Sequence, residues 1–164
     1  MNINLEIPVR AYLKKFISKT RDVEPFTLKN KKCYYSSIIL EPIKKWQSKD
    51  VDRSFSHLND RLTIAMTGQI VKENRFSITE EAILVIDSRL QALFNQQLVD
   101  FVEMSTEKHG DMLACIDRFL AYYEIDEDLC KREAIVKMYY RYRFPQKPKP
   151  KPKEIKVAPQ ATLF

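Results

Sequence analysis

The chain opens on strict alternation. In NINLEI the apolar residues Ile3, Leu5 and Ile7 are separated by polar ones, the period-2 pattern of a half-buried strand, predicted over 2–7. Pro8 is expected to stop that strand and to sit in the first turn of a helix. Val9, Tyr12, Leu13, Phe16 and Ile17 then follow the spacing of an amphipathic helix, with Arg10, Lys14, Lys15 and Lys19 on its other face. Residues 22–60 are less regular. KKCYYSSIILEP reads either as a strand or as the start of a short helix broken at Pro42, and IKKWQSKD is a candidate continuation. RLTIAMT alternates Leu62, Ile64 and Met66, and Gly68 and Asn74 bound a further candidate strand around QIVKE. With residues 2–7 these predict a small sheet of two to four strands.

The clearest helix follows. Ser77 and Glu80 fit a capping box, and Thr79 is the alternative N-cap. Ile83, Ile86, Leu90, Leu93, Phe94, Leu98, Phe101 and Val102 keep helical spacing, and Gly110 ends the run. At about 1.5 Å per residue the helix would extend roughly 40 Å, so it is either a central core helix or a dimer seam, and the segment 79–108 is the candidate surface for a homo-oligomer. DMLACIDRFLAYYEI predicts a second helix with Met112, Leu113, Ile116, Phe119, Leu120 and Tyr123 on one face. DEDLC comes next, with Asp126 a candidate N-cap, and KREAIVKMYYRYR predicts a third helix with Ala134, Ile135, Met138, Tyr139 and Tyr142 inward or intermediate. Phe144 and Pro145 close the pattern. The expected fold is α+β and mostly helical: one domain over 1–145 with a small N-terminal sheet, a long central helix and a C-terminal three-helix unit, which allows a helix-turn-helix-like arrangement. An extended basic tail over 146–164 follows.

Composition narrows the function classes. With 164 residues and 45% hydrophobic content the chain can bury a core without metals or disulfides. Only 2 glycines argue against phosphate loops and against an all-β fold with many tight turns. No apolar run reaches the roughly 20 residues of a membrane helix, and MNINLEIP lacks the basic and apolar regions of a secretory signal. Cys33, Cys115 and Cys130 have no CxxC spacing and read as reduced thiols of a cytoplasmic protein. The net charge of +6 is unevenly placed: from Lys131 onward it is +8, and over the first 130 residues it is −2. A localised basic end predicts a polyanionic partner there.

Catalysis finds no support in the pattern. His57 has no ligand-spaced Cys, Asp or Glu, and His109 suits a helix end. Glu80 and Glu81 suit a first helical turn, and EIDEDL lacks the glycine and spacing of a calcium loop. There is no Walker A, GxSxG or GxGxxG motif. The expectation is a protein without enzymatic activity, metal or cofactor. KREAIVKMYYRYRF carries more information. Lys131, Arg132, Lys137, Arg141 and Arg143 interleave with Tyr139, Tyr140, Tyr142 and Phe144. Cationic groups neutralise phosphates and tyrosines stack on bases. Lys131, Arg132, Lys137, Tyr140, Arg141 and Arg143 are therefore the candidate nucleic-acid contacts, against the plainer reading of a solvated basic helix.

After Pro145 the chain alternates proline and lysine in PQKPKPKPKEIKVAP, a composition that favours extended polyproline-II backbone of about 3.1 Å per residue. It ends in QATLF. These five residues resemble the bacterial sliding-clamp-binding pentapeptide, with Gln160, Thr162, Leu163 and Phe164 in its first, third, fourth and fifth places. Ala161 stands where that family often has Leu, and Thr162 where Ser or Asp is commoner. The resemblance implies that the Gln160 amide meets a pocket rim and that Leu163 and Phe164 fill an apolar floor. The same residues also resemble a C-terminal ligand of PDZ-type strand-adding domains, a protease-recognition tag, or a tail folded back on its own core. The leading expectation is a DNA-associated accessory protein that docks on the replication sliding clamp, encoded by a bacterium or by a phage or mobile element using its host's clamp. The alternatives are a DNA-binding transcription regulator and a structural or assembly subunit whose tail docks on a neighbour.

Overall fold

The computed structural model describes residues 3–21, 26–28, 34–45, 57–66 and 78–145. In chain order they form β1 (Ile3–Val9), α1 (Ala11–Arg21), β2 (Phe26–Leu28), α2 (Tyr34–Lys45), β3 (Asp60–Met66), α3 (Glu80–His109), α4 (Met112–Tyr122) and α5 (Arg132–Arg143). The fold is α+β and mostly helical, with its small sheet at the N-terminal end. β3 is the middle strand. It runs antiparallel to β1, with Ile7 opposite Leu62 and Leu5 opposite Ile64, and parallel to β2, with Phe26 opposite Ile64.

Pro8 does not stop β1. The strand continues through it to Val9, with Pro8 opposite Arg61. β1 is an edge strand, where proline's missing N–H is tolerated. Val9 is consequently buried as a strand residue rather than opening the stripe of α1. That stripe is Tyr12, Leu13, Phe16 and Ile17, all buried. The helix starts on backbone bonds from Leu13 and Lys14 N–H to the Arg10 carbonyl, at 3.0 and 3.1 Å. The Asn59 side chain accepts the otherwise orphaned Ala11 N–H at 3.1 Å.

Residues 34–45 are helical, and Pro42 lies inside α2 without ending it. Tyr35, Ile38, Ile39 and Ile43 recur at helical spacing and are all buried, so packing of that stripe outweighs the one backbone bond proline forfeits. The three-residue β2 was not legible in the pattern. Ser77 and the candidate strand around QIVKE fall outside the described residues.

The N-cap of α3 is Thr79, the alternative, and Glu80 is its first residue rather than the third-position acid of a capping box from Ser77; Gly110 ends it as expected. The Thr79 side chain accepts from Ala82 N–H at 3.3 Å. Gly110 takes the left-handed conformation at φ 72° and donates its N–H to Thr106 at 2.8 Å. The stripe Ile83, Ile86, Leu90, Phe94, Leu98 and Val102 is buried, with Leu93 and Phe101 at its margins. It is filled from within the chain, by α1, α2, α4 and α5. Phe94 is the hub, with ring centroids 5.2 Å from Tyr12, 5.3 Å from Phe16 and 5.5 Å from Phe119.

α4 is buried through Cys115, Ile116, Phe119 and Leu120. Leu113, expected inward, is exposed. The stripe runs through 112, 115, 116, 119 and 123, and Leu113 stands about 100° beyond Met112 at its margin. After α4, Glu124 occupies the left-handed position at φ 55°, where glycine is usual. Glu124 N–H bonds Ala121 at 3.2 Å and Ile125 N–H bonds Leu120 at 2.9 Å, a complete Schellman motif. Asp126 does not cap the next helix. Its carbonyl closes an isolated turn with Leu129 and Cys130 N–H, both at 3.1 Å, and Lys131 is the N-cap of α5. The α3–α4–α5 unit is present, but its last connection covers 123–131. That is longer than the roughly 3–4-residue turn of a helix-turn-helix. No helix among the described residues is long and apolar enough to cross a membrane.

Candidate nucleic-acid interface

α5 buries Ile135 and Tyr139 and half-buries Val136 and Met138. At 100° per residue the opposite face holds Glu133, Lys137, Tyr140, Arg141 and Phe144, and each of these is exposed. The basic residues expected to contact phosphate therefore divide in two. Arg132 and Arg143 lie on the flank turned to α4 and α3. Arg132 Nε and Nη2 donate to the two Asp117 oxygens at 2.5 and 2.9 Å. Those hydrogen bonds hold the Asp117 carboxyl below its ordinary range and raise Arg132. Arg143 Nε pairs with Glu103 Oε1, and its guanidinium carbon lies 5.6 Å from the centre of the Phe144 ring. Both charges are already answered within the fold.

Lys137 and Arg141 stand one turn apart on the outward face, with no ion-pair partner among the described residues. Lys131 is exposed at the N-cap. Tyr140 and Phe144 accompany them at 47% and 62% exposure, high for rings of this size, which normally bury most of their area. The two rings are nearly parallel, at 26°, with centroids 6.4 Å apart. Beside them lies a groove of about 590 Å³ between α5 and the α3–α4 corner, lined also by Glu103, Thr106, Glu107, Met112 and Tyr139. On the opposite flank Tyr142 is fixed by its hydroxyl, 2.9 Å from Gln96 Oε1. Gln160, Thr162, Leu163 and Phe164 lie outside the described residues.

The basic residues on the other face of α1 are engaged with the rest of the fold. Lys14 reaches Asp60 at 3.0 Å, and Lys19 reaches Glu124 at 2.8 Å with Lys15 behind it at 3.8 Å. Arg10 turns inward to Asp87, Nη2 to Oδ2 at 2.9 Å, and its Nη1 donates to Gln91 Oε1 at 2.9 Å and Tyr12 Oη at 3.2 Å. Tyr12 also donates to Gln91, whose Nε2 donates to Asn95 Oδ1 at 2.8 Å. Asp87 is the buried charge among the described residues, and burial pushes its carboxyl up against the opposing pull of Arg10 and His57. Burial alone would lower Arg10, but Tyr12 and Asp87 raise it. Sequence reasoning missed this network. Its signal was the polar series 87, 91, 95 at helical spacing beside the apolar stripe of α3.

Cys115 is buried and Cys130 half-buried, and both are free thiols. His57 is exposed. Among the described residues no group of three His, Cys, Asp or Glu is placed to hold a metal. Comparison with protein-family models, curated proteins and solved structures returns no match for the chain.

Proposed function

We propose that the chain is a DNA-associated accessory protein of the cytoplasm, without enzymatic activity, that docks on the bacterial replication sliding clamp through Gln160, Thr162, Leu163 and Phe164. The source would be a bacterium, or a phage or mobile element using its host's clamp. The observation that carries the reading is the make-up of α5. Its outward face holds Lys137 and Arg141, without ion-pair partners among the described residues, beside exposed Tyr140, and α5 leads into the lysine-rich sequence that ends in QATLF.

The energetics are adequate. Burying a Leu and a Phe contributes about 1.5–3 kcal/mol each. Polar contacts from Gln160 and a second attachment through DNA raise that weak contact by avidity. A transcription regulator of helix-turn-helix type receives less support, because the 123–131 connection is long and the first turn of α5 offers Glu133 and an Arg132 already bound to Asp117. The test is capture on immobilised bacterial sliding clamp. The full chain is expected to be retained and a chain lacking 158–164 to pass through. Equal retention of both, or of neither, contradicts the reading.

A further inference from the structure

We infer that the outward face of α5 binds single-stranded nucleic acid, with Tyr140 and Phe144 as stacking platforms and Lys137 and Arg141 on the phosphates. The inference rests on the nucleic-acid reading above and adds the form of the polyanion. Three features carry it. First, the face is complementary in charge: Lys137 and Arg141 have no ion-pair partner among the described residues, where Arg132 and Arg143 do. Second, its exposed surface is aromatic. Two rings at 26° to one another, both open to solvent, present flat apolar faces. A base can cover such a face only when it has left its own stack, so the feature serves single strands and is idle on a duplex. Third, the face is poor in what duplex reading requires. Base edges in the major groove are matched by Arg, Asn or Gln forks aimed along the helix. On this face Arg141 is the one such group, and the positions around it hold Glu133, Lys137 and the two rings.

Arg143, paired with Glu103, lies over the Phe144 ring with the guanidinium carbon 5.6 Å from the ring centre. The adjoining groove brings Met112 and Tyr139 beside Tyr140, with Glu103 and Glu107 also in its lining.

The experiment is fluorescence anisotropy at low salt, using the full chain and a labelled 20-nucleotide single strand of mixed sequence, with the same sequence as a blunt duplex. The expected result is tighter binding of the single strand. Tyr140→Ala combined with Phe144→Ala should weaken single-strand binding at least tenfold and leave duplex binding unchanged. Tyr140→Phe, which keeps the ring, should bind as wild type. Both residues are exposed, so unchanged circular dichroism and melting establish that the double variant is folded. Lys137→Gln with Arg141→Gln should flatten the single-strand salt slope by about 1.4, at roughly 0.7 per phosphate. Preference for the duplex, or indifference to the double alanine change, overturns the inference while leaving the broader nucleic-acid reading standing. Binding lost on deleting 147–164 but not on the double change moves the site to the tail lysines and also overturns it. Absence of binding to either form removes both.

Discussion

Replacing Arg10 with Met tests the buried polar network and separates it from ordinary surface ion pairs. The Asp87 side chain is 5% exposed, and its Oδ2 meets the Arg10 guanidinium at 2.9 Å. Its Oδ1 has no hydrogen-bond partner among the described residues, so Arg10 is the main answer to that charge. Arg10→Met strands a carboxylate in the core, a change that costs about 3–5 kcal/mol. For a protein of this size each kcal/mol lowers the melting temperature by about 2–4 °C, so the expected loss is roughly 6–20 °C. Replacing both partners, Arg10→Met with Asp87→Leu, should recover most of it, since apolar substitutes for buried ion pairs are often neutral or stabilising. The pH dependence has a definite sign. A buried carboxyl with a raised pKa holds its proton more tightly in the folded chain, so its contribution to stability declines as pH rises through that value. Without Arg10 the value rises further, and the deficit of Arg10→Met should be largest at neutral pH and shrink on acidification. Urea melts followed by circular dichroism at pH 7 and pH 5 measure both effects. A loss under about 1 kcal/mol at pH 7, or one independent of pH, would refute the reasoning.

Further changes probe other parts of the account. Phe94→Ala removes the ring at the centre of the aromatic core and should cost about 3–5 kcal/mol by denaturant titration. Gly110→Ala places a Cβ where nothing lies within 4 Å, so its cost is the left-handed backbone alone, about 1–2 kcal/mol, with Gly110→Asn milder. Glu124→Gly should raise the melting temperature, because relief at φ 55° exceeds the loss of exposed ion pairs to Lys15 and Lys19. Deleting 147–164 should leave it within about 1–2 °C, since the buried residues described all lie between Ile7 and Tyr139.

Local signals were readable and distant ones were not. The alternation Leu62, Ile64, Met66 and the stripes of α1 and α3 report directly on a buried face, and Thr79 and Gly110 mark the ends of α3. Pro8 and Pro42 misled because their effect depends on context: an edge position for one, and a buried stripe on both sides for the other. β2 is three residues long and exists through its pairing with β3, so its own sequence carries little pattern. Within the candidate interface the composition of α5 was legible, but the division of its charges was not. Arg132 meets Asp117 across 15 positions and Lys19 meets Glu124 across 105. Such partners leave no periodic trace, and only the folded arrangement reveals that Lys137 and Arg141 are left facing outward.

Titration calorimetry against purified bacterial sliding clamp tests the central claim most directly. Leu163 and Phe164 together contribute about 3–6 kcal/mol, so wild type without DNA should bind with a Kd of about 0.1–1 mM. Leu163→Ala with Phe164→Ala should lose several kcal/mol, consistent with about 1.5–3 per buried side chain. A chain extended beyond Phe164 by a short Gly-Ser peptide should bind nearly as wild type, because the proposed contact is through side chains rather than a carboxylate. No heat from wild type at millimolar concentration, or binding abolished by the extension alone, would contradict the account.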